Sequence, residues 1–157
     1  FALFVLIDLF KKAREEESKK IYDLYLKNTK FINNWDLVDT SAGPIVGAYL
    51  FKRDKEPIFT LAQSENLWER RIAIMATSYF ITQNKFADTL KIAEMLLNDK
   101  EDLIHKAVGW MLREIGKRNL EIEESFLKKH YQNIPRTMLR YAIEKFPEEK
   151  RKSYLKR

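Results

Sequence analysis

With 157 residues, the chain is long enough for one domain that buries most of its own core without disulfide or metal support. It contains no cysteine, which excludes a thiolate metal site, a cysteine nucleophile and a disulfide-stapled secreted scaffold, and makes the interior of a cell the default compartment. A net charge of +6, from 29 basic against 23 acidic residues, favours anionic partners without marking a histone-like tail.

Apolar residues recur at spacings of three and four almost everywhere, with only four Gly and four Pro and no Asn-Gly or Asp-Gly hairpin signal, so an all-α fold is expected. The spacing predicts helices over 1–15, 17–31, 34–52 with an interruption at Gly43-Pro44, 56–64, 67–82, 86–98, 101–118, 120–131, 135–146 and 148–155. The first, FALFVLIDLF, is apolar nearly all round. It has about half the length of a membrane span, contains Asp8 and follows no basic segment, so it reads as a buried helix. Because the chain opens on Phe1 rather than Met, further helices upstream are expected in the full-length protein.

In the third helix, Trp35, Asp39 and Ala42 fall within about 60° of one another, which puts an indole and a carboxylate on one face. Asp39 would equally serve as a solvent-facing charge, with Asp36 as the first-turn acid. In the helix over 67–82, Asn66 with Glu69 has the pattern of a capping box. Trp68, Ile72, Met75 and Tyr79 form one apolar side there, and Ala73, Ala76 and Phe80 another. Arg71 lies between those surfaces and requires a carboxylate, a phosphate or exposure, because an unpaired buried charge costs several kcal/mol. An ordinary structural ion pair satisfies that requirement as well as a ligand does, and Arg70 points more to the outside.

The helix over 101–118 gathers Leu103, Ala107, Val108, Met111, Leu112 and Ile115 on one side. Lys106, Trp110, Arg113 and Lys117 line another, at i, i+4, i+7 and i+11, with no requirement for burial. An indole among cations suits a polyanion that also carries flat apolar groups, as nucleic acid does; the alternative is that Trp110 caps the edge of the core. Beyond it, Gly116 sits near a helix end and Pro135 opens another helix. The terminal EEKRKSYLKR reads as a solvated helix end, with non-specific DNA contact as the lesser reading.

A shift of 36 residues aligns Leu67, Arg70, Ile72, Ala73 and Met75 with Leu103, Lys106, Val108, Gly109 and Met111. Helix pairs joined by short links and repeating at roughly 40 residues favour an α-α superhelix of HEAT-like repeats over a closed bundle. Such a stack would collect Trp35, Asp39, Arg71 and Trp110 on a concave basic face. No Ser-His-Asp or Cys-His arrangement, P-loop, GxGxxG or HExxH motif is present, and His105 and His130 have no nucleophile context.

The segments NNWDLVD, NLWERRIAI and LIHKAVGWMLREIGKR resemble the AlkD-like family of DNA alkylation repair glycosylases, which adopt a HEAT-like helical superhelix. The resemblance runs from Phe1 to about Phe146. It implies that Asp39 is the catalytic aspartate, Arg71 the active-site arginine, and Trp35 and Trp110 the tryptophans beside the lesion. The activity it implies is excision of positively charged alkylated purines, chiefly 7-methylguanine and 3-methyladenine, from duplex DNA by N-glycosidic bond hydrolysis, without metal or other cofactor and without drawing the base into a tight pocket. Lys106, Arg113, Lys117, Arg118, Arg136 and Arg140 would then track phosphates on either side of the lesion. Residues 1–157 are expected to be a single HEAT-like domain lacking N-terminal helices that family members carry, monomeric, cytoplasmic and nucleoid-associated when on DNA. The competing expectation is a HEAT-like module that binds DNA or a protein and cleaves nothing.

Overall fold

A computed structural model describes residues 2–156; Phe1, the first residue of the expected opening helix, and Arg157 lie outside the described residues. The chain is all-helical, with no strand among those residues. Helix α1 spans Ala2–Lys12, α2 Glu15–Lys27, α4 Glu56–Ala62, α5 Leu67–Thr82, α6 Ala87–Met95, α7 Asp102–Gly116, α8 Leu120–His130, α9 Arg136–Ala142 and α10 Glu148–Leu155. Helix α3 runs without a break through Trp35–Ser41, a π-helical Ala42–Gly47 and Ala48–Leu50. Short 3-10 turns cover Thr29–Phe31 and Ile143–Lys145.

Local signals place several of the starts. The side chains of Asn34, Asn66 and Asn119 accept from the N–H groups of Asp36, Trp68 and Ile122, satisfying donors that a first helical turn leaves free. Pro135 and Pro147, which have no N–H to lose, stand immediately before α9 and α10. Glu69 does not close the expected capping box: its carboxylate instead accepts from Thr29 Oγ1, at 2.7 Å, and from Ser64, tying α5 to the turn after α2. The expected interruption at Gly43-Pro44 is also absent. Pro44 cannot donate to the turn before it, and α3 answers by widening to i→i+5 bonding rather than by ending.

Helices α3, α5, α7 and α9 pack side by side in chain order, while α4, α6 and α8 alternate with them in sequence, α4 packing on α5, α6 on α5 and α7, and α8 on α7. This alternation is that of an α-α superhelical repeat. Its interior is built from Val38, Ile45 and Val46 of α3, Ile72 and Ile74 of α5, Ile104, Leu112 and Ile115 of α7, and Met138 and Leu139 of α9, all fully buried. Burial of each such side chain contributes about 1.5 to 3 kcal/mol. Two glycines set how closely the layer packs. A Cβ on Gly47 would lie 2.0 Å from the Ala76 carbonyl oxygen of α5, and one on Gly109 would lie 2.5 Å from both the Met138 carbonyl oxygen and Tyr141 Cβ of α9.

The opening helix departs from its expected burial. Only Ile7 of α1 is buried, and Phe4, Val5 and Leu9 are 62%, 42% and 52% exposed. The reason is geometric: α1 meets α2 and α3 along one side only, so the rest of its apolar circumference faces no described element. Between these helices runs an apolar groove of about 440 Å³, lined by Leu6, Leu24, Phe31 and Leu37 among others. No described helix is long and apolar enough to cross a membrane.

Candidate active site

Three neighbouring helices supply the groups. The Asn34 cap starts α3 one residue before Trp35, and one turn later Asp39 projects from the same face. Trp35 is 55% exposed, whereas the side chain of Asp39 retains 11% of its surface, enough for contact with solvent from one direction. Arg71, from the second turn of α5, is buried and meets that carboxylate in a two-pronged pair, Nε to Oδ1 at 2.8 Å and Nη2 to Oδ2 at 2.7 Å. Its Nη1 donates to the backbone carbonyl of Leu103 in α7. One planar guanidinium thus fixes α3, α5 and α7 relative to one another, a geometry that lysine could not provide.

Behind the pair, the buried Tyr25 hydroxyl lies 2.8 Å from Ser41 Oγ. Burial pushes the Tyr25 phenol up from its ordinary range, opposed by the Ser41 hydrogen bond and aided by the negative charge of Asp39. Neither hydroxyl next to Asp39 in sequence reaches it. Thr40 donates to the carbonyls of Asp36 and Leu37, and Ser41 donates to the carbonyl of Leu37.

On α7, Lys106 stands one turn beyond Leu103, within electrostatic reach of Arg71. It pairs with Asp102 at 2.9 Å, which holds the ammonium above its ordinary range and the carboxyl below its own. Trp110 follows one turn later on the same face, half-buried against the core, its Nε1–H donating to Glu114 Oε1 at 3.2 Å. The same oxygen accepts from Lys117 at 2.7 Å. The row therefore reads Trp35 and Asp39, then Arg71, then Lys106 and Trp110.

The remaining cations differ in availability. Lys117 and Arg118 are exposed, the latter donating to Asn84 Oδ1 at 3.2 Å. Arg136 and Arg140 are exposed on α9 with no ion-pair partner among the described residues. Arg113 is withdrawn: it pairs with Glu144, lies 3.9 Å from Glu114, and keeps 17% of its side-chain surface. The face of α7 read from sequence as open is partly closed here because Gly109 lets α9 come close.

Arg70 does not point outward as its position on the helix wheel suggests. It forms a forked pair with Asp99, at 2.6 and 3.3 Å, and donates to the carbonyls of Ser64 and Glu65, a staple joining α5 to the loop before α7. That pairing spans 29 residues and no periodicity signals it. Glu114 was legible in principle, since it lies one turn from Trp110. Glu123 had no such signal: a carboxyl on the buried side of α8, its acid dissociation is pushed up to about 8, first by burial and then by Glu124, against the opposing charge of Arg113. Its Oε1 has no hydrogen-bond partner among the described residues. His105 bonds the Asp99 carbonyl and His130 lies against Phe126, so neither joins the row. Among the described residues no group of three or more His, Asp and Glu could hold a metal ion.

Chemically, the row offers a fixed and partly accessible carboxylate, with an exposed indole on its own helix and an ammonium and a second indole on the helix that Arg71 ties to it. Such a set can stabilise positive charge developing on a bound molecule while holding a water. Residues 1–146 match the family described as DNA alkylation repair enzyme. No curated protein matches the sequence.

Proposed function

The chain belongs to the DNA alkylation repair enzymes, and from that premise we propose that it is a DNA glycosylase excising positively charged alkylated purines, 7-methylguanine and 3-methyladenine, from duplex DNA. The observation that carries this reading is the two-pronged Arg71–Asp39 pair, its carboxylate still partly accessible, on neighbouring helices that also carry Trp35 and Trp110. A carboxylate has about four acceptor directions, of which the guanidinium takes two; the others are free for a water and the sugar.

Alkylation makes the purine cationic and hence a good leaving group. As the C1′–N9 bond breaks, its electron pair neutralises the departing base and positive charge grows on the deoxyribose. Asp39 stabilises that charge, orients water towards C1′ and takes up the proton the water loses before passing it to solvent. The indoles of Trp35 and Trp110 lie against sugar and backbone, where electron-rich faces favour cationic character. Arg71 holds Asp39 in place. Lys106, Lys117, Arg118, Arg136 and Arg140 bind phosphates, and Arg113 joins them when it leaves Glu144. The protein acts as a single HEAT-like domain and a monomer, in the cytoplasm and at the nucleoid when engaged on DNA.

The test is direct. Duplex DNA treated with a simple methylating agent is incubated with the protein, and freed bases are separated chromatographically. Free 7-methylguanine and 3-methyladenine are expected in proportion to enzyme and time. DNA that is bound but keeps all its methylated bases would instead mark a non-catalytic DNA-binding module.

A further inference from the structure

Trp110 is the one member of the row whose ring is held through its own N–H, and the group that holds it belongs to no part of the reaction described above. Glu114 lies one turn further along α7, with 30% of its side-chain surface accessible. Its Oε1 accepts from Trp110 Nε1 at 3.2 Å and from Lys117 Nζ at 2.7 Å, and stands 3.9 Å from Arg113 Nε. We propose, resting on the glycosylase reading, that Glu114 is a positioning residue for that reaction, setting both the plane and the electron density of the Trp110 indole.

Two physical effects support this. A half-buried indole can turn about two side-chain torsions, and a hydrogen bond from its single donor selects one plane. Without that bond the ring would retain its packing against the core but lose a defined tilt towards the reacting sugar. The acceptor is also charged, which makes the bond stronger than one to a neutral group and draws the N–H proton away from the ring. Electron density then shifts into the indole face, where it strengthens attraction to a cationic sugar or base.

The arrangement responds to DNA. A phosphate arriving at α7 competes with Glu114 for Lys117, and loss of that ammonium leaves the indole N–H as the nearer donor to the carboxylate. The Trp110 ring is then held most firmly when DNA is in place.

The experiment compares Glu114→Ala and Glu114→Gln with the unaltered protein, using single-turnover release of 7-methylguanine, the Kd for methylated duplex, and the indole N–H resonance of Trp110, assigned by its absence in Trp110→Phe. Loss of one charge-assisted hydrogen bond to a group at the site should lower the rate constant about tenfold in Glu114→Ala. The Kd should change less than about threefold, since only one partly accessible charge is removed. Glu114→Gln keeps a neutral acceptor and should recover most of the rate, with the indole resonance shifted upfield in Glu114→Ala and restored in part by Gln. A rate in Glu114→Ala equal to that of the unaltered protein, or an indole resonance unmoved by the substitution, would overturn the assignment alone. Unaltered protein that releases no base would overturn the glycosylase reading and this role with it.

Discussion

At the scale of single residues, the molecule is organised by what its few buried charges find. Arg71 and Asp39 satisfy each other, with side chains 6% and 11% accessible. Removal of either leaves the partner buried without a counter-charge, so Arg71→Ala should lower stability by about 3 to 5 kcal/mol, measurable by denaturant unfolding. Arg71→Lys should fold better but lack the fork, and should lower base release by a larger factor than it lowers DNA affinity. Glu123 feels the charge of Arg113 but forms no ion pair among the described residues. Its ordinary dissociation near 4.5 is raised to about 8 in the fold, so between these values the native state keeps a proton that the unfolded chain has lost. The contribution of this carboxyl to stability is fully present below pH 4.5 and is lost progressively, at about 1.4 kcal/mol per pH unit, as the pH rises towards 8. Glu123→Gln should remove that slope; unfolding midpoints of the two proteins that run parallel from pH 5 to 8 would contradict it. Sequence spacing was enough to put Trp35 with Asp39 on one face and to require a partner for Arg71. It could not pair them, because the two lie 32 residues apart and only the packing of α3 on α5 brings them together. Glu123 and the Arg70–Asp99 staple were illegible for the same reason.

At the scale of elements, the helices themselves were legible because their apolar positions repeat at three and four and asparagine caps mark three of the starts. What periodicity does not carry is how near two helices come. Gly109 on α7 is the case in point: its missing Cβ lets the Met138 and Tyr141 region of α9 approach, and Arg113, one turn further along α7, pairs with Glu144 just beyond α9. Gly109→Ala should push the two helices apart, at a cost of about 1 to 3 kcal/mol and a Tm lower by roughly 3 to 10 °C. Retained stability would mean that α9 can shift freely against α7. The π-helical turn after Asp39 is a second feature of this kind. A proline inside a helical pattern ordinarily signals a break, and here the neighbouring helix α5, packed along the whole of α3, keeps the chain winding instead. The outward-facing apolar side of α1 is the converse, a pattern that called for burial and found cover on one side only.

At the scale of the whole molecule, the excess of six positive charges favours phosphates, so the logarithm of DNA affinity should fall linearly with the logarithm of salt concentration. The cations differ in how far they are already engaged within the protein. Arg136 and Arg140 are exposed and unpaired among the described residues, so replacing both with Ala should reduce the salt slope by about 2, whereas Arg113→Ala, already engaged with Glu144, should change it by less than about 1. A loss of about 1 for Arg113→Ala, the same per residue as in the double variant, would mean that Arg113 releases Glu144 whenever DNA binds. The superhelical pairing of helices was legible from a weak repeat between two segments taken together with short links and helix pairs repeating at roughly 40 residues, while the distribution of free and engaged cations across it was not, since charge partners come from adjacent layers. The most direct test of the account compares single-turnover release of 7-methylguanine from methylated duplex by the unaltered protein and by Asp39→Asn, at fixed low salt with the Kd measured in parallel. If the Asp39 carboxylate stabilises the developing charge, the variant should bind DNA as before and release the base slower by a few hundredfold, about 3 to 4 kcal/mol of barrier. Release at an unchanged rate would contradict it.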